Sequence, residues 1–237
     1  MRAQSHVVGV ALLLGLAVVA LGGLTVGVGI LLDSQAGAAD ADRVADGLDE
    51  AFRAVDRAGT HSQQVAFSEG SLGTEERTLR ILKDGRVIER HAVDALVFER
   101  GDRRVAAVAG ALVRQHGSSA WLVSAPSITD SRTNGVLVVG APVLNAGHVS
   151  VGGTGGVTTT LRIDPSHTEY DLGTGEFAVA IETPTPGPFE RYFTDRNART
   201  TRRTFPGDEH ESVVAQYPGD RQAYLVVHDL SLEVGDG

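Results

Sequence analysis

His6-Val-Val-Gly-Val-Ala-Leu-Leu-Leu-Gly-Leu-Ala-Val-Val-Ala-Leu-Gly-Gly-Leu-Thr-Val-Gly-Val-Gly-Ile-Leu-Leu32 contains no Asp, Glu, Lys or Arg. A bilayer core of ~30 Å takes about 20 apolar residues as a helix, and this run is longer. It also exceeds the ~7–15 apolar residues of a cleaved secretory signal, although Ala36-Gly37-Ala38-Ala39 offers a small-x-small site. Adjacent glycines such as Gly22 and Gly23 weaken a helix in water and are common in membranes. The run predicts a transmembrane helix over 6–32 behind a short stub over 1–5. Arg2 lies on one side and Asp33, Asp40 and Asp42 on the other. Positive-inside bias then predicts a cytoplasmic N-terminus and an extracellular C-terminal domain, a single pass of the cell membrane with the lipid bilayer as partner.

Past Leu32 the pattern stays helical. Val44, Leu48, Ala51, Phe52 and Val55 recur at steps of three and four, and Asp40, Asp42, Asp46, Asp49, Glu50 and Asp56 stand between them. Gly59-Thr60 reads as a C-terminal cap. An amphipathic helical stalk over 33–60 is expected, with Gly37 the point for a bend.

A short basic leader ahead of a highly apolar helix resembles the type IV pilin-like proteins of archaea. Arg2-Ala3-Gln4-Ser5 is similar to their processing site. The resemblance implies cleavage between Ala3 and Gln4 by a prepilin-type peptidase, a helix that packs in a filament core, and an extracellular β-rich domain. Segments 90–99, 135–142 and 224–230 resemble a haloarchaeal family of surface proteins without an assigned activity. Gly15, Gly23 and Gly27 are the expected helix-packing positions, because small residues let backbones approach closely.

The formal net charge is −9 and all 30 acidic residues follow Leu32, against 21 bases of which Arg2 alone precedes it. One lysine, Lys83, stands among the bases. Dense carboxylates with few lysines suit high salt, where the Debye length falls to ~3 Å at 1 M and self-repulsion is screened. A halophilic source is expected. Without a basic cluster, nucleic acid is not an expected partner. Zero cysteines exclude disulfides, thiolate metal sites and cysteine nucleophiles.

From about Gln63 the period changes to two. Asp84-Gly85 between Thr78–Lys83 and Arg86–Glu89 is a hairpin signal. Gly101-Asp102 and His116–Ser119 mark two further turns, and Gly135 to Val139 reads as a buried strand. Turn signals every 8–12 residues predict a mainly antiparallel β domain over 61–237, sandwich or barrel-like. One short helix is expected after Thr183-Pro-Thr-Pro-Gly-Pro188, with Phe189, Tyr192 and Phe193 on one face. The fold class expected is thus α+β: a long membrane-spanning helix, its stalk, then the β domain.

Chemistry is sparse. Gly152-Gly-Thr-Gly-Gly156 precedes a strand former rather than a helix and lacks Gly-Lys-Ser/Thr, so a hairpin tip is expected, not a phosphate loop. Eight histidines show no helical metal spacing. Asp208–Glu211 reads as an acidic turn. His228-Asp229 has no accompanying nucleophile elbow. Trp121, Phe98, Tyr224, Phe177 and the Phe189 face read as core. No catalytic residue, metal or cofactor is assigned. The expected function is a non-enzymatic pilin-like subunit or minor component of a surface filament, self-associating or joining other pilin-like subunits. The alternatives are a membrane-anchored envelope protein that does not polymerise, and an ectodomain that binds a solute or hides a hydrolase.

Overall fold

The computed structural model describes residues 3–53 and 59–236. They form two compact units, Met1–Ala39 and Asp40–Gly237. Arg2 of the expected leader and Val55 and Asp56 of the expected stalk lie outside the described residues. Two helices and sixteen strands make up the described chain, so the architecture is mainly β rather than the α+β class expected. Helix α1 is Ala3–Arg53.

Among the described residues no helix is long and apolar enough to cross a membrane. The expected span over 6–32 and the single-pass cell-membrane location are corrected on that finding. The large apolar side chains described ahead of Asp33 are Leu14, Leu16, Val18 and Val19, all exposed. From Asp33 to Arg53 acidic and basic residues recur along α1.

In the second unit the expected stalk is not free-standing. Val44 and Leu48 are fully buried and Ala51 nearly so. Their stripe packs on one face of a seven-stranded sheet. Its order is β16 (Glu233–Asp236), β10 (Ser150–Ile163), β1 (His61–Glu75), β4 (Ala95–Arg100), β5 (Arg103–Val108), β6 (Ala111–His116) and β7 (Ser119–Ser124). Gly47, the only glycine in this part of α1, sets the approach: a Cβ there would lie 3.1 Å from Val65 Cγ2 on β1.

Strand β4 shows how the sheet divides two cores. Leu96 and Phe98 face α1, whereas Ala95 and Val97 face the other way, as a side-chain period of two requires. That second core is closed by two more sheets. One is β11 (Ser166–Gly175), β15 (Arg221–Asp229), β9 (Val136–Val143) and β8 (Ile128–Ser131). The other is β13 (Arg199–Arg203), β14 (Ser212–Gln216), β12 (Phe177–Glu182), β2 (Thr78–Lys83) and β3 (Arg86–Ala92). Helix α2 (Pro186–Asp195) adds Phe189 and Phe193, both fully buried. It opens two residues ahead of Pro188, with proline in the first turn, where the missing N–H costs nothing.

Turn chemistry explains the hairpins. Asp84 and Gly85 both have positive φ, 52° and 78°, as the two-residue turn between β2 and β3 needs. Long-range pairing sets the rest of the topology and corrects one reading, the hairpin tip expected at 152–156. Strands β9 and β15 pair in parallel, Val139 beside Leu225, across a connection that contains five strands and α2; no local turn marks such a pair. The run 224–234 is split between β15 and β16 in different sheets, with Ser231 at φ 41° between them. The glycine run 152–156 is no hairpin tip. It lies inside β10 and pairs with β1, Gly152 opposite Ser71 and Gly153 opposite Gly70. A Cβ on Gly152 would come within 2.8 Å of the Gly70 carbonyl, so the run permits a close backbone approach.

Candidate functional site

The most constrained polar cluster of the second unit lies where α1 meets β1. Asp40 sits one helical turn before Val44, so its carboxylate shares the buried face, and it has no exposed surface. Across from it the register of β1 and β10 shifts: Gly155 and Gly156, at φ 96° and 99°, stand opposite Ser68 alone. This β-bulge takes the Ser68 amide out of the ladder. That amide donates to Asp40 Oδ1 at 3.0 Å and the Ser68 hydroxyl donates to Oδ2 at 2.5 Å. Arg100, at the end of β4, pairs with the same carboxylate and donates to Ser68 Oγ at 3.0 Å. Arg43 pairs with it from one turn along the helix.

Burial is the largest influence on Asp40 and pushes its pKa upward. The two Ser68 hydrogen bonds, that from Arg100 and the charge of Arg43 together outweigh it, and the carboxyl is held below the usual range. A buried charge satisfied by this many donors is ionised and fixed.

Two more clamps follow along the helix. Asp42 pairs with Arg114 of β6 at 2.5 Å. Asp49 accepts from the Ser124 hydroxyl of β7 and pairs with Arg53. Beside Asp49 a small apolar cleft of about 30 Å³ is lined by Leu48, Phe52, Val93, Leu112 and Leu144, with Asp49, Asp94 and Ser124 as its polar side chains. Burial raises the pKa of Asp94, which stands at φ 45°. The volume of the cleft is that of about one water rather than of a ligand pocket.

Elsewhere the buried charges are structural. Arg80 pairs with Asp208, both buried, under Phe205. Glu182 accepts from the amides of Thr78, Glu209 and His210 at 3.0–3.2 Å. The acidic turn at 208–211 is thus tied inward at both ends. Arg221 and Asp130 pair at 2.7 Å. Asp229 accepts from Asn145 and from the Ser231 amide. Arg202 holds Glu190 through two bonds of 2.6 and 2.9 Å on the surface. Trp121 and Tyr224, expected in the core, are exposed; Trp121 stands on the edge strand β7 beneath Arg114. Among the described residues no group of three or more His, Cys, Asp or Glu is placed to hold a metal.

Of the residues singled out in the sequence, Arg2 lies outside the described residues, and Ala3 and Gln4 begin α1 with their side chains undescribed. A Cβ on Gly15 would meet nothing within 4 Å. Gly23 and Gly27 lie in α1, where the side chains over 20–32 are outside the described residues. The described contacts bring none of these six together. Asp40, Ser68 and Arg100 were not legible as a cluster, because 28 and 60 residues separate the partners from Asp40. The one available signal was the position of Asp40 in line with Val44, Leu48 and Ala51.

A profile for a family described only as of unknown function, DUF7289, matches residues 2–233. No curated protein and no solved structure matches the chain.

Proposed function

The chain belongs to this family of unknown function, and we propose that it is a non-enzymatic, pilin-like subunit that assembles with copies of itself through its N-terminal helical segment. One observation carries the reading. Leu14, Leu16, Val18 and Val19 are 61–76 % exposed on α1, within a stretch that has no charged residue. At about 100° per residue these four side chains point to different sides of the helix. A helix that is apolar all round must be buried on all sides, and several parallel copies of the same helix do this in a filament core. The clamp at Asp40, Asp42 and Asp49 supports the same reading, because it fixes helix to sheet inside the second unit without offering catalytic chemistry.

Leu16→Lys with Val19→Lys tests it. The variant keeps the fold of the second unit, measured by near-ultraviolet circular dichroism, and is lost from the sedimenting fraction of sheared surface material. Sedimentation equal to the parent chain overturns the reading. Processing between Ala3 and Gln4 is read independently by mass spectrometry: the reading expects a mature chain beginning at Gln4, and an N-terminus at Met1 or Arg2 contradicts it.

A further inference from the structure

Strands β11 and β15 place His167 directly opposite His228. The two Nδ1 atoms are 2.8 Å apart, and the rings stand nearly perpendicular with centroids 4.8 Å apart. β11 is the edge of its sheet, so the pair opens to solvent. The His228 ring reaches back over Gly140 of β9, where a Cβ would lie 3.3 Å from Nε2. Glu169 and Asp171 follow His167 on the same strand face, and their charges favour a cation there.

We propose that His167 and His228 form a surface site for a divalent transition metal of tetragonal preference, Cu²⁺ first and Ni²⁺ next. The 2.8 Å spacing is that of a hydrogen bond between the rings, so both rings turn slightly to face a shared ion. Cu²⁺ comes first because imidazole sites bind divalent ions in an order that peaks at copper, and two imidazoles with water suit its tetragonal plane. Both Nδ1 atoms must be unprotonated to bind. One ring donates Nδ1–H to the other in the metal-free pair, and metal binding releases that proton to water. Water completes the metal's plane. The site is independent of the assembly reading, because it lies wholly on one sheet of the second unit.

The test is a titration of the full chain with Cu²⁺ alone, in a His6→Ala background so that an N-terminal amine–His6 chelate cannot contribute. One ion per chain is expected, with an electron paramagnetic resonance spectrum showing two imidazole nitrogens. His167→Gln and His228→Gln are each expected to weaken binding at least tenfold and to remove the two-nitrogen pattern, with the far-ultraviolet circular dichroism unchanged. Zn²⁺ is expected to bind more weakly than Ni²⁺. Cu²⁺ affinity unchanged in both variants, a spectrum without imidazole nitrogen, or no binding at tenfold excess overturns the proposal. If a variant fails to fold, protection of His167 and His228 from diethyl pyrocarbonate by Cu²⁺ in the parent decides the question: protection supports the site and equal modification overturns it.

Discussion

Replacing Asp40 by alanine removes the acceptor for the Ser68 amide and hydroxyl and the partner of Arg100 and Arg43 in one step. Breaking a buried pair by deleting one member costs about 3–5 kcal/mol, because the other charge stays buried and unpaired. Arg100 keeps Glu69 at 3.3 Å and Ser68 Oγ at 3.0 Å, which places the loss at the lower end, about 3 kcal/mol. Arg43 is more than half exposed and adds little. For a chain of this size about 3 kcal/mol lowers Tm by roughly 6–12 °C. Guanidinium titration of the full chain, followed by the fluorescence of its one tryptophan, Trp121, reads the change directly. Asp40→Asn separates charge from shape. Because the folded-state pKa of Asp40 is depressed, its contribution is complete above the unfolded value near ~3.9 and drains away as pH falls through the folded value. The parent therefore loses stability on acidification below about pH 4 more steeply than Asp40→Asn does. A loss under about 1 kcal/mol for Asp40→Ala, or parallel acid limbs for parent and Asp40→Asn, refutes the reasoning.

Leu48→Ala, at a fully buried position facing the seven-stranded sheet, is expected to cost about 2–5 kcal/mol in the same titration. Gly70→Ala meets both strain and collision, with φ at 132° and a Cβ 2.6 Å from the Glu99 carbonyl; a loss of about 2–4 kcal/mol is expected in its thermal melt. Asp94→Asn is expected to raise Tm near neutral pH and to match the parent below about pH 4, since burial raises the Asp94 pKa and disfavours its charged form; a lower Tm at pH 7 contradicts this. Gly23→Ile or Gly27→Ile is expected to reduce the sedimenting fraction while leaving the melting of the second unit unchanged, and unaltered sedimentation excludes close packing at those glycines.

Local chemistry was readable wherever a turn closes on its neighbours in sequence. Asp84-Gly85 and Gly101-Asp102 mark their hairpins because left-handed backbone is cheap there, and the structure has Gly85 and Gly101 at φ 78° and 57°. The strand expected at 135–139 was readable in part from its apolar run: it spans Val136–Val143, and of the run Leu137 and Val139 are the buried residues. Glycines 152–156 were misread because the same residue type that permits a turn also permits two backbones to touch, and only the partner strand distinguishes the two. The parallel β9–β15 pair and the separation of β15 from β16 depend on long-range order that no turn residue encodes. The clamp at Asp40 hid for a related reason: an acidic residue on a helix is usually solvated, and its three partners come from elsewhere on α1, β1 and β4. Tyr224 and Trp121 looked like core by type alone, but their strands leave those faces to solvent.

The central claim is assembly through the exposed apolar helix, and its most direct measurement is the sedimentation of sheared surface material from cells carrying the parent chain or the Leu16→Lys, Val19→Lys variant. The account predicts the parent chain in the pellet, visible as filaments by negative-stain electron microscopy, and the variant in the supernatant with its second unit folded. A parent chain confined to the supernatant, or a variant that pellets in filaments like the parent, contradicts it.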